Sequence, residues 1–222
     1  MKKFAGFGGV GDCFINILKC LNQHCDFKYT HVDRSESHLG ISEELLSTLN
    51  INHETVYVGR HQKASIRWER DNEEFYDKVF NLNANEEIAD PFILTNERDK
   101  KYKICIQVSG GIKEKVKRGY EIKKRPIEDY IKSIYKGERG KIVWVGLDDA
   151  FDAPFGLNYS GKTSLKETLD IVLSSEVFIG FNSVLLYWAL QNKIPSHCFI
   201  TDQGESDIRI HNQWNKYLTY IK

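Results

Sequence analysis

The residues best suited to chemistry stand at the start of the chain. Gly6-Phe7-Gly8-Gly9-Val10-Gly11 spells G-x-G-x-x-G and runs directly into Asp12. Two chemistries fit this pattern. Glycines at that spacing after a strand let the backbone approach a pyrophosphate at a helix start, and Asp33, 22 residues beyond Gly11, stands near the spacing of an acid that binds a ribose. Gly6, Gly8, Gly11 and Asp33 would then serve an NAD(P)-dependent oxidoreductase. Asp12 argues the other way. A carboxylate in the first helical turn repels a pyrophosphate held there. It is favoured by the helix macrodipole and is well placed to act as a general base. A plainer reading is a glycine turn that Asp12 caps.

Two later stretches also look like phosphate sites. Gly156 to Thr163, "GLNYSGKT", matches the letters G-x-x-x-x-G-K-[ST]. A P-loop must leave a buried strand and enter a helix, whereas "DDAFDAPF" precedes Gly156 and Leu157 to Tyr159 read as strand. The match is accidental on these grounds, and Thr163 or Ser164 caps the following helix, with Glu167 completing a capping box if Ser164 is the cap. The second stretch is "IGFNSVLLYWAL", where a strand ends at Gly180 and Asn182 or Ser183 opens a helix whose first N–H groups are available to an anion. Taken alone, it is an ordinary strand–helix junction.

The elements around these residues alternate. "KKFAGF", "FKYTHVD", "ETVYVG" and "YDKVFNLN" read as strands, separated by a helix over Asp12 to Leu21 and another in "SEELLSTLN" capped by Ser42. "RWERDNEEFYDK" reads as an exposed charged helix. "TNERDKKYK" is polar and aperiodic, and marks the boundary between domains at 1-98 and 99-222. A second α/β series follows: "KICIQVSGG", "KIVWVGLDD", "LNYSG", "VFIGF" and "SHCFIT" as strands, "PIEDYIKSIYKG", "SLKETLDIVLSS" and "NSVLLYWALQN" as helices, and "HNQWNKYLTYIK" as a closing helix. Alternating short apolar runs and amphipathic stretches specify an α/β architecture of two small Rossmann-like domains with mainly parallel sheets.

Composition narrows the function. With 222 residues, and 31 Lys+Arg against 31 Asp+Glu, no global field selects nucleic acid or an anionic membrane. Lys113 to Arg125 is locally basic, a solvated loop or a funnel for an anionic ligand. Cys13, Cys20, Cys25, Cys105 and Cys198 are odd in number and contain no C-x-x-C pair, which fits reduced thiols in the cytoplasm. No apolar run spans a bilayer and no signal-peptide core opens the chain. The histidines show no paired ligand spacing, so no metal and no cofactor are expected. Trp68, set among charges, is a candidate acceptor contact, while the other tryptophans read as core.

"SGKTSLKETLDIVLSSEVFIGFNSVLLYWALQNKIPSHCFIT" resembles the donor-binding half of the ADP-heptose:lipopolysaccharide heptosyltransferases, a GT-B glycosyltransferase family, in its "G-K-T-S-L-x-E" segment, its small-residue helix start and its run into the next strand. "IQVSGG…KKRPIEDY" is similar to the family's strand, small-residue loop and "K-R-W-P" helix start. "FGGVGDCFINILKCL" is similar to its "G-G-x-G-D" loop, and "YDKVFNLN" to its "Y-D-x-V-I-D-L". The resemblance implies a GT-B-like fold with a cleft between the domains, and inverting sugar transfer from a nucleotide-diphosphate sugar to a glycan or other hydroxyl acceptor. It implies that Asp12 is the base, with Gly8, Gly9 and Gly11 in the loop that meets the sugar. Ser109, Gly110, Gly111, Lys124, Arg125, Asn182, Ser183 and Val184 would line the donor site. Where the family has "D-S/T-G-x-x-H", this chain has Asn182-Ser183-Val184-Leu185-Leu186-Tyr187. Loss of the acid leaves the donor sugar open, and a non-catalytic nucleotide-sugar-binding protein is the alternative. The chain is also shorter than typical members, so a lipopolysaccharide acceptor is not carried over.

Overall fold

A computed structural model describes residues 1–33, 35–59, 62–80, 86–91, 99–108, 124–199 and 211–221. The chain divides into two compact units, Met1–Asp90 with Arg209–His211, and Pro91–Ile208 with Asn212–Lys222.

Unit 1 runs β1 (Lys2–Phe7), α1 (Val10–Leu21), β2 (Phe27–Asp33), α2 (Glu36–Thr48), β3 (His53–Tyr57), α3 (Gln62–Asn72) and β4 (Lys78–Phe80). Its strands are all parallel, in the order β3-β2-β1-β4. A parallel sheet must be covered on both faces, and β1 accordingly buries consecutive residues, Phe4 and Ala5. Helix α1 turns Cys13, Phe14, Ile17 and Leu18 fully inward, the spacing of one apolar helical face. It also buries Lys19, whose ammonium meets Glu86 at 2.9 Å, while Lys78 meets the other oxygen of Glu86 at 2.6 Å.

Helix α2 differs from the sequence expectation. It begins at Glu36 with Ser35 as the N-cap residue, and Ser42 is buried in mid-helix rather than capping it. The cause is Asp33, whose Oδ1 accepts the Ser35 N–H at 2.8 Å. That turn starts the helix well before the apolar periodicity becomes visible.

Unit 2 runs β5 (Tyr102–Gln107), α4 (Lys124–Ile134), β6 (Ile142–Val145), β7 (Leu157–Asn158), α5 (Leu165–Leu173), β8 (Ser175–Gly180), α6 (Val184–Gln191), β9 (Ser196–Phe199) and β10 (Leu218–Ile221). All six described strands are parallel, in the order β10-β9-β8-β5-β6-β7. Counted from β5 as the unit's first strand, this is 3-2-1-4-5-6, the doubly wound dinucleotide-fold order. Ile104, Ile106, Ile142, Trp144 and Ile179 form its core, and the Trp144 indole donates to the Phe155 carbonyl at 2.6 Å.

The P-loop look-alike resolves as anticipated. Leu157 and Asn158 pair with Val143 and Trp144 as a strand. Ser164 caps α5 in a reciprocal box with Glu167, at 3.2 Å and 2.8 Å. The expected closing helix is not one. Asn212–Tyr217 is a 3-10 turn and Leu218–Ile221 is a strand paired with Ser196–Phe199. Trp214 is the reason. Its indole donates to Gln191 Oε1 at 3.0 Å and its ring stacks on Tyr187 at 5.4 Å. Anchored there, the chain can send Thr219, Tyr220 and Ile221, residue types that favour strands, along the open edge of β9.

Candidate active site

In an open parallel sheet, ligands bind at the carboxyl ends of the strands where the strand order reverses. Unit 1 reverses between β1 and β4, and unit 2 between β5 and β8. Both reversals carry residues singled out by the sequence.

In unit 1 the strand ends at Phe7 and the glycines follow. Gly8 has φ +132°, and a Cβ there would overlap the Asp12 side chain, so only glycine lets the loop fold onto that carboxylate. Gly9 is the N-cap residue of α1, and its N–H donates to Asp12 Oδ2 at 3.1 Å. Asp12 is the third helical residue and half-buried. It therefore both caps the helix and stands at the carboxyl end of β1. Below it, Asn16 Nδ2 donates to the Phe7 carbonyl at 3.2 Å. Burial, together with the carboxylates of Asp33 and Asp12, pushes the Cys13 thiol well above its ordinary pKa. Trp68 packs edge-on against Phe7 at 5.6 Å and beside Tyr76 at 5.5 Å, which sets its indole next to the strand that carries the loop.

Asp33 ends β2 and is 2% exposed. His38 Nδ1 lies 3.7 Å from its Oδ1, and His31 Nε2 lies 3.5 Å from its Oδ2. The His31 contact is an electrostatic approach rather than a hydrogen bond, and it leaves His31 Nε2 and Asp33 Oδ2 buried without a hydrogen-bond partner. Burial alone would raise the Asp33 pKa, but His31, His38 and the Ser35 amide outweigh it and hold the carboxyl well below the usual range. A carboxylate so enclosed does not offer its oxygens to a ribose, which counts against the dinucleotide reading.

In unit 2 the reversal is built by Gln107 at the end of β5, and by Gly180 and Ser183 after β8. A Cβ on Gly180 would lie 2.9 Å from Gln107 Cβ and Oε1, so glycine lets the two strand ends converge. Ser183 donates to Gln107 Oε1 at 2.7 Å, and its hydroxyl accepts the Leu186 N–H at 3.5 Å as the α6 cap. Asn182, Ser183 and Val184 are half-buried. Two of the three departures from the family pattern are bonded to each other, since the Tyr187 hydroxyl donates to Asn182 Oδ1. A neutral pair thus stands where the resemblance expects an acid and an imidazole.

Gln107, His31 and His38 were missed from the sequence. Their one signal was polarity inside apolar strand runs or next to a helix start. Lys124 and Arg125 are the first residues of α4, and Ser109, Gly110 and Gly111 lie outside the described residues.

No protein-family model matches the chain and no curated protein matches it. Solved structures do. ADP-heptose lps heptosyltransferase II of E. coli aligns over 100% of this chain and 90% of its own, with TM-score 0.60 and 12% identity. The chain has the heptosyltransferase fold. A family 9 glycosyl transferase from Veillonella parvula aligns over 99% and 85%, with TM-score 0.56 and 11% identity. The dodecameric iron-containing glycosyltransferase TibC of enterotoxigenic E. coli aligns over 100% and 64%, with TM-score 0.51 and 13% identity. Identities this low carry the α/β, GT-B-like architecture. Among the described residues no group of three or more His, Cys, Asp or Glu is arranged to hold a metal ion. No described helix is long and apolar enough to cross a membrane.

Proposed function

We propose that this protein is an inverting glycosyltransferase that moves a sugar from a nucleotide-diphosphate sugar to an acceptor hydroxyl, with Asp12 as general base. The observation that carries the reading is a carboxylate, fixed by a glycine loop, at the carboxyl end of β1 in a heptosyltransferase fold. Unit 2 holds the donor. The N–H groups at the start of α6, around Ser183 and Val184, meet the diphosphate charge. Ser109, Gly110, Gly111, Lys124 and Arg125 are assigned to the same role from the sequence resemblance. Asp12 accepts the proton of the acceptor hydroxyl as that oxygen attacks the anomeric carbon from the side opposite the diphosphate. ADP-heptose is the first donor to test, since TibC has been solved with ADP-D-beta-D-heptose. Five unpaired thiols suit a reducing compartment such as the cytoplasm.

One observation favours a second reading, a nucleotide-sugar-binding protein without turnover. The Asn182–Tyr187 pair carries no charge for the donor sugar. Thermal unfolding against ADP, UDP, GDP, their sugar conjugates, NAD and NADP separates the readings. A ligand at about 100 times its Kd adds about 2.7 kcal/mol. Stabilisation by a nucleoside diphosphate but not by NAD supports the donor site, and nucleotide release on adding acceptors separates enzyme from binder. Asp12→Asn should lower transfer at least about 100-fold while leaving donor binding in place, and full activity in that variant would overturn the mechanism.

A further inference from the structure

Gly6, the first glycine of the opening motif, and one buried amide have no part in the transfer reading. Asn16 lies on α1, one turn after Asp12, and is fully buried. Its Nδ2 donates to the Phe7 carbonyl at 3.2 Å, and its side chain also bonds the Tyr29 hydroxyl. A carbonyl only accepts, so the amide nitrogen must face Phe7. That orientation leaves Asn16 Oδ1 buried without a hydrogen-bond partner, a cost that an apolar side chain of similar size avoids. Gly6 makes the room for it. A Cβ on Gly6 would lie 2.5 Å from Asn16 Nδ2 and 2.7 Å from the Tyr29 hydroxyl oxygen, so the missing side chain is what lets the amide lie under the end of β1.

One helix thus holds the loop on both sides of Gly8. Asn16 holds the carbonyl that precedes Gly8, at 3.2 Å, and Asp12 holds the N–H that follows it, at 3.1 Å. Between them the Gly8 N–H donates to the Val32 carbonyl at 3.3 Å, and the Gly9 carbonyl accepts the Cys13 N–H at 2.9 Å. Without Asn16 the Phe7 carbonyl loses this partner, and the segment can pivot at Gly8, a residue type with the widest backbone freedom. The Asp12 carboxylate, bonded to Gly9, moves with it. A misplacement of about 1 Å can cost about 100-fold in rate. We propose that Asn16, seated in the space left by Gly6, is a positioning residue for the general base and fixes the glycine loop so that Asp12 meets the acceptor hydroxyl. The proposal rests on the transfer reading above. Asn16 moves no proton and, being fully buried, touches no substrate. The donor is held by unit 2, so loss of Asn16 acts on turnover and spares donor affinity.

The test compares the wild type, Asn16→Leu, Gly6→Ala and the double variant. Titration calorimetry measures the Kd of whichever of ADP, UDP or GDP the wild type binds most tightly, and release of that nucleotide from its sugar conjugate in the presence of glycan acceptors measures kcat. Asn16→Leu should lose at least about tenfold in kcat while its nucleoside diphosphate Kd stays within about twofold. Gly6→Ala retains Asn16 but displaces its amide, so it should lose as much, and the double variant should lose no more than Asn16→Leu alone. A folded Asn16→Leu that keeps the wild-type kcat overturns the proposal. Equal losses in kcat and affinity overturn it too, because a general loosening of the protein would not spare the donor. A second arm needs no turnover. Hydrogen exchange of the Gly9 amide, followed by NMR, should speed up at least about tenfold in Asn16→Leu, and unchanged exchange overturns the positioning. Should Asn16→Leu fail to fold, Gly6→Ala carries both arms. A wild type that releases no nucleoside diphosphate from any donor sinks the transferase reading, and the exchange arm then still decides whether Asn16 fixes the loop.

Discussion

Gly8 and Gly9 are adjacent and chemically identical, yet their backbone positions ask different things of them. Gly8 occupies φ +132° against the Asp12 side chain, whereas Gly9 is extended and a Cβ there would meet His38 at an ordinary contact distance of 3.7 Å. Gly8→Ala should therefore cost at least about 2 kcal/mol, through strain at a positive φ and overlap with Asp12. Gly9→Ala should cost no more than about 1 kcal/mol, the difference between glycine and alanine at an N-cap. Urea denaturation of the two variants checks the contrast, and equal losses would mean the loop is not folded on Asp12 as described. Asp12 itself was legible because its type and its place after the glycines already limit its chemistry. Asp33 was legible only as a spacing. Its burial between two histidines depends on a contact between β2 and α2 that no local pattern announces.

At the level of elements, strand positions were readable and helix ends less so. "KKFAGF" and "FKYTHVD" coincide with β1 and β2 because apolar runs bounded by turn residues leave few alternatives. The closing segment misled because Trp214, Tyr217 and Leu218 suggest a helical face, while the stacking of Trp214 on Tyr187 imposes a tight turn. Ser164 was legible because a capping box is a purely local device. Ser164→Ala should lower stability by about 1 kcal/mol, read as a shift in the urea midpoint without a change in slope. Lys19 is the opposite case, a charge on the buried face of α1 that makes sense only once Glu86 is seen beside it. Glu86→Gln should destabilise by about 3 kcal/mol, because an ammonium shielded from water loses its carboxylate. Lys19→Met added to that variant should recover part of the loss. A double mutant no better than Glu86→Gln would mean the pair is not what the burial of Lys19 requires.

For the molecule as a whole, acid should loosen the fold in two stages. Burial, with Lys19 adding to it and Glu86 opposing it, lowers the His211 pKa to about 4. A group depressed in the folded state contributes fully above its unfolded pKa, near 6.5 for histidine, and its contribution is lost as pH falls from there toward 4. Asp33 is also depressed, so its share is lost only below the ordinary aspartate range, near 3.9. The urea midpoint should therefore drop between pH 6.5 and 4 and again below that. His211→Gln should flatten the first stage and leave the second. A midpoint flat down to pH 4 in the wild type would contradict the burial of His211.

Four of the five thiols are buried, two in each unit: Cys13 and Cys20 in the first, Cys105 and Cys198 in the second. Cys25 alone is partly exposed. Burial raises the pKa of all four, that of Cys198 to about 12, so each is shielded both sterically and as an unreactive thiol. An alkylating reagent should consume one equivalent quickly at Cys25 and then stall. Every later adduct records an opening event, and peptide mass tells which unit opened. The chain thus carries a pair of internal stopwatches, one for each half, that need no introduced probe.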